Sequence, residues 1–180
     1  MQDDLERILF DEGTILARLD EIAAAITEDY RDRELTMIAV FNGSLIFMAD
    51  LLRRIPLPLK LDYLSVASYH GGIKSAGEVV FRQVALPDVQ GRHILLLDDI
   101  LDSGLTLEVI RRRLEEANPC SVRICVLLEK KIPRAEPTHA DYVGFEISNE
   151  FVVGYGLDYM ERYRNLPCIG VLRKDFIDSK

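Results

Sequence analysis

Short apolar runs alternate with longer amphipathic stretches along this chain, and the alternation predicts strands and helices in turn. Leu35–Phe41, 94–97 and 122–128 are nearly unbroken in apolar residues, the pattern of strands covered on both faces inside a parallel sheet. Residues 7–10 form a short strand, and the polar 11–14 then cap a helix with Leu16, Leu19, Ala23, Ile26 and Tyr30 on its apolar face. Leu45, Met48, Leu51 and Leu52 mark a second helix, stopped by Pro56. A third strand spans 60–68, and a third helix carries Leu107, Ile110, Leu114 and Ala117 on one face until Asn118-Pro119 ends it. Tyr142–Ile147, 151–157 and Ile169–Leu172 return to strand character. Strand and helix in alternation make an α/β protein: a mainly parallel sheet flanked by helices, with a small hood from terminal and late segments. No repeat or linker divides the chain, so 1–180 is expected to be one domain.

Two βα junctions carry candidate chemistry. At the first, Asn42-Gly43-Ser44 separates a buried strand from a helix. That is either a phosphate cradle or an ordinary turn with Ser44 as cap, and the junction by itself favours the turn. The second is denser: Asp98-Asp99-Ile100-Leu101-Asp102-Ser103-Gly104-Leu105-Thr106 puts three acids, a glycine and two hydroxyls into nine residues. Loop amides and a helix N-terminus attract an anion, and Gly104 lets the backbone approach it. Carboxylates repel phosphate, so the acid pair must act in another way, by accepting sugar hydroxyls or by holding Mg²⁺ that bridges to the anion. Asp102, at the loop entrance, is placed to take a proton.

The remaining signals are weaker. Residues 69–77, Tyr-His-Gly-Gly-Ile-Lys-Ser-Ala-Gly, are a hairpin tip or a mobile lid. Glu129-Lys130-Lys131, with Arg134 close by, reads as a solvated edge, although it lies at the same end of a parallel sheet as the Asp98 motif. Gly154-Tyr155-Gly156 lacks the third glycine of a dinucleotide fingerprint.

The nine-residue motif resembles the phosphoribosyl pyrophosphate (PRPP) signature of type I phosphoribosyltransferases. Residues 47–58, Ser68-Tyr69, 141–147, 151–159 and 162–167 resemble the hypoxanthine-guanine branch, so the similarity spans nearly the whole chain. It implies that Asp98, Asp99, Asp102, Ser103, Gly104, Leu105 and Thr106 hold the ribose and its phosphate, with Asp102 as general base. It further implies that Asn42, Gly43, Ser68, Tyr69 and Arg164 face pyrophosphate, under a lid formed by 69–77. Many relatives have lysine where this chain has Asn42. Lys130, rather than Lys131, would meet the purine 6-oxo group, Phe151 would stack on the base, and the Val152 backbone would read its edge. Asp158 would line the purine site and join Asp98 and Asp99 in holding Mg²⁺. The implied reaction is purine salvage, with hypoxanthine or guanine and PRPP giving IMP or GMP. The rivals are a PRPP- or nucleotide-sensing regulator without catalysis, and a phosphatase-like enzyme with Asp98 as nucleophile.

Charge and composition narrow the setting. A net charge of -8 over 180 residues argues against nucleic-acid or membrane-surface binding. Three cysteines, Cys120, Cys125 and Cys168, in no metal-binding spacing suggest buried thiols in a reducing cytoplasm. No signal-peptide or membrane-spanning run is visible, and a homo-oligomer, dimer or tetramer, is expected.

Overall fold

A computed structural model describes residues 1–68, 79–81, 86–134 and 138–177, with the side chains of 67, 68 and 79–81 outside that description. After a 3₁₀ turn at Gln2–Asp4 come β1 (Leu5–Phe10), α1 (Glu12–Asp29), β2 (Leu35–Phe41), α2 (Leu45–Leu52), β3 (Leu59–Ser68) and β4 (Val79–Phe81). Then follow β5 (His93–Leu101), α3 (Leu105–Glu115), β6 (Ser121–Lys130), β7 (Tyr142–Ile147), β8 (Val152–Val153), β9 (Ile169–Leu172) and α4 (Lys174–Ile177). The main sheet has the order β4-β3-β2-β5-β6-β7 and is parallel from β3 to β7, with β4 antiparallel at one edge. β1, β9 and β8 form a separate antiparallel sheet, the hood.

The central strands are apolar on both faces because helices cover both. Along β5, Leu95 and Leu97 point into the core under α1 and α2, while Ile94 and Leu96 point into the core under α3. All four are fully buried, and truncating any of them to alanine costs about 2–5 kcal/mol. On α1, Ile15, Leu19, Ile22, Ala23 and Ile26 make the buried face. Leu19, Ala23, Ile26 and Tyr30 are buried as expected, while Ile15 and Ile22 join that face and Leu16 sits at its margin. On α2, Phe47 is buried while Leu45 is 47% exposed, so the burial there also departs from the expected face. Periodicity fixes that a face exists, but small rotations about the helix axis are set by what the sheet offers as neighbour.

The hood packs onto the α1/α2 side through Val152, Tyr155, Leu157, Ile169 and Val171. Only Val152–Val153 of the apolar 151–157 stretch is strand. The chain then turns sharply at Gly154 and Gly156, both with positive φ. Cys125 and Cys168 are buried as expected, but Cys120 is exposed. Among the described residues, no helix is long and apolar enough to cross a membrane.

Candidate active site

The C-terminal ends of β2, β3 and β5 open into a cleft of about 570 Å³, whose lining runs from Asn42 and Gly43 through Asp98–Gly104 and Thr106, but not Leu105, to Asp158, Glu161 and Arg164. Most of the residues singled out from sequence meet here, from loops far apart in the chain.

β5 does not stop before the acids. It continues to Leu101, and Asp98 and Asp99 lie within its paired length, with Asp98 opposite Val126. The strand ladder therefore holds the acid pair rigidly. Asp98 is 8% exposed and accepts from the Asp99 amide at 3.0 Å. Burial, and then the neighbouring Asp99 charge, push the Asp98 carboxyl well above the usual carboxylate range. Burial raises Asp99 as well, with the Arg164 charge acting in the opposite direction.

The helix starts differ in a telling way. Asp11 caps α1, accepting from the Thr14 amide at 2.7 Å. At α2 the Ser44 hydroxyl turns away and donates to the Val40 carbonyl at 2.5 Å, so the expected cap is not made. At α3 the cap position is Gly104, left-handed at φ 83°, with no side-chain cap. Ser103 Oγ accepts weakly from the Leu105 amide at 3.4 Å. Both helices that face the cleft thus present first-turn amides with little side-chain competition, as an anion site requires.

Two glycines set the closeness of the site. A Cβ on Gly43 would lie 1.7 Å from Asp99 Oδ2, and one on Gly156 would lie 2.0 Å from the Gly43 carbonyl. Only glycine allows the hood turn, the Asn42-Gly43-Ser44 turn and the acid pair to stack in this order. That stacking brings in Asp158, which accepts from Arg164 at 2.7 Å and from the Glu161 amide at 2.8 Å. Arg164 also donates to the Gly156 carbonyl at 2.6 Å.

Asp102 and Lys130 form an ion pair at 2.8 Å, with Lys130 12% exposed and Asp102 50% exposed. Lys131 instead pairs with Glu146 and is 64% exposed. Phe151, 42% exposed, meets Tyr159 edge-on at 5.5 Å, and Val152 is buried in β8 opposite Val171. Lys130, Phe151 and Val152 lie outside the cleft lining, and of the three Lys130 reaches Asp102. Tyr69 and the rest of 69–77 lie outside the described residues, as does the Ser68 side chain.

Sequence reading passed over two contributors and put a third on a solvated edge. Glu161 lines the cleft. Thr138 is buried and donates to the Gly104 carbonyl at 3.1 Å. Arg134, expected on a solvated edge, is 13% exposed and bonded to main chain and side chain alike. No local pattern marks any of them; each is placed by a loop returning from elsewhere.

A parallel sheet with uncapped helix starts and buried acids at its C-terminal edge is the architecture of α/β proteins that bind sugar phosphates and nucleotides. A family model described as the phosphoribosyl transferase domain matches residues 7–160, and the chain belongs to that family. It is 43% identical over 175 residues to a hypoxanthine-guanine phosphoribosyltransferase of Staphylococcus epidermidis, covering 97% of this chain and 98% of the relative. The enzyme of the same description from Streptococcus pneumoniae is 40% identical over 175 residues, 97% of each chain. The crystal structure of a hypoxanthine phosphoribosyltransferase from Staphylococcus aureus superposes with a TM-score of 0.93 at 40% identity, covering 100% of this chain and 97% of that one.

Proposed function

We propose that this protein is a purine-salvage enzyme that joins hypoxanthine or guanine to PRPP, yielding IMP or GMP and pyrophosphate. The observation that carries this reading is the Lys130–Asp102 pair at 2.8 Å beside the uncapped start of α3. A 6-oxopurine presents O6 and N7 side by side on one edge. An ammonium only donates and suits O6, while an ionised carboxylate only accepts and suits an N7 proton.

In this scheme the amides of Ser103, Gly104, Leu105 and Thr106 hold the sugar phosphate, and Asp98 and Asp99 accept from ribose hydroxyls. Asn42, Gly43, Arg164, Ser68 and Tyr69 face the pyrophosphate. Phe151 stacks on the purine, the Val152 backbone reads its edge, and Asp158 lines its site. As N9 bonds to C1, the bond from C1 to the pyrophosphate oxygen breaks, and the N7 proton passes to Asp102.

Five carboxylates and one guanidinium line the cleft, an unfavourable balance for PRPP without a cation. Among the described residues no three metal-ligating side chains gather, and Mg²⁺ needs only one or two carboxylates with substrate oxygens and water. The adjacent Asp98–Asp99 pair would suit such an ion, and Asp158, across the same cleft and paired with Arg164, would contact it only through water or substrate oxygens. When bound, it offsets the negative charge of the acids and of the departing pyrophosphate. A cytoplasmic dimer or tetramer completes the proposal. Leu61 and Tyr63, exposed to 50% and 48% on β3, supply apolar surface that a second copy would cover.

The test is an assay of the purified chain with PRPP, Mg²⁺ and a purine panel. Nucleotide and pyrophosphate should form with hypoxanthine or guanine, cease in chelator and resume on adding Mg²⁺. Binding of PRPP without turnover would replace the enzyme with a sensor, and release of inorganic phosphate would replace it with a phosphatase.

A further inference from the structure

We propose that Arg134 is a positioning residue that sets the geometry of the Asp102–Lys130 pair by standing in for missing rungs of the sheet. β5 and β6 pair in register as far as Leu101 and Glu129. Beyond that rung β5 ends, and no ladder bond joins the main chain of Asp102 to that of Lys130. The Arg134 guanidinium fills this gap. Its Nε donates to the Asp102 carbonyl at 2.9 Å, and its Nη2 donates to the Lys130 carbonyl at 2.7 Å and, more weakly, to the Leu101 carbonyl at 3.5 Å. Nη1 donates to Glu129 at 2.8 Å, which orients the plane.

One planar, 13% exposed group therefore grips the backbone of both residues whose side chains meet. Its own stem lies over the loop, with Cδ 3.6 Å from where a Gly104 Cβ would stand. Arginine suits this position because five donors diverge from one rigid plane, and lysine cannot reproduce that fork. Arg134 does not line the cleft, so it acts through Asp102 and Lys130 and not on substrate. A misplacement of about 1 Å in such a pair is enough to cost roughly 10²-fold in rate.

This inference rests on the transferase reading and deepens it. The experiment compares wild type, Arg134→Ala and Arg134→Lys in single-turnover nucleotide synthesis, with PRPP affinity measured in the presence of Mg²⁺ and with thermal unfolding alongside. Arg134→Ala should turn over about 10²-fold more slowly, while its PRPP affinity changes by no more than a few-fold. Guanidinium ion at concentrations well below denaturing should restore part of that rate. Arg134→Lys should remain impaired, and Asp102→Asn should gain nothing from guanidinium.

A wild-type rate in Arg134→Ala would overturn the clamp. So would a PRPP affinity that falls as far as the rate, since the residue would then support the phosphate loop. If Arg134→Ala is poorly folded, Glu129→Gln tests the same plane without removing the cation: its single-turnover rate should fall, and an unaltered rate there would also overturn the clamp. A wild-type chain that makes no nucleotide would end the transferase reading itself, a result distinct from all of these.

Discussion

The two ends of the main sheet carry ionisable clusters of opposite character. At the N-terminal end of β6 and β7, Asp29 accepts from Arg123 at 2.6 Å and from the Tyr142 hydroxyl at 2.5 Å, and Arg123 also donates to that hydroxyl at 2.8 Å. Each charge in that trio meets a partner, and the Tyr142 and Arg123 bonds hold the Asp29 carboxyl below its usual range. At the C-terminal end, Asp98 is buried and the adjacent Asp99 partly so, and both are held above that range. The nearby Arg164 pairs directly with Asp158 and only partly offsets the charge of Asp99. A completed network serves the fold. An uncompleted one, maintained against its electrostatic cost, marks the place where something else supplies the missing charge.

That contrast is sharpened most by the base specificity of the C-terminal end. Adenine carries an amino group where hypoxanthine carries O6, so it sets donor against the Lys130 ammonium. Adenine should be used about 10⁴-fold less well than hypoxanthine, and Lys130→Ala should lose 6-oxopurine activity and narrow the gap. Competing purines in a kcat/KM assay check this; equal use of adenine would break the assignment of Lys130. Next in size, Asp102→Asn should slow single-turnover synthesis by roughly 10²–10⁴-fold while PRPP still binds. An unchanged rate would remove Asp102 from proton transfer.

Stability should move in opposite directions at the two ends. Asp98→Asn keeps an acceptor for the Asp99 amide and removes one of two crowded charges. It should therefore raise the melting temperature of the ligand-free protein by about 2–4 °C, on the order of 1 kcal/mol, while weakening PRPP binding. A fall in Tm would show that the acid pair is not held at a cost. Asp29→Asn should give the smallest effect, a loss of at most about 1 kcal/mol because Asp29 is 45% exposed. Its folded carboxyl titrates below the unfolded one, so its contribution is present above the ordinary carboxylate range and is lost as pH falls through the lowered value. The Tm difference between Asp29→Asn and wild type should accordingly shrink in acid. A difference that grew in acid would contradict the sign.

Much of this was legible in the chain itself. Doubly apolar runs specified buried parallel strands at Leu35–Phe41, 94–97 and 122–128, because only a sheet covered on both faces tolerates them. The nine residues from Asp98 to Thr106 read as a candidate anion loop, and all but Leu105 line the cleft, because acids, glycine and hydroxyls are local in sequence and the local backbone gathers them. What tertiary structure decided were the relations between segments. It alone brought Gly156 against Gly43 and Gly43 against Asp99, turned Ser44 away from its helix, and joined Asp102 to Lys130 across a separation of 28 residues. It also took Arg134 from an expected solvated edge to the centre of a clamp. Periodicity and short motifs report what a residue does with its neighbours in the chain. The catalytic spacing proposed here depends on loops that leave different strands and converge, and the packing of the whole sheet sets that distance.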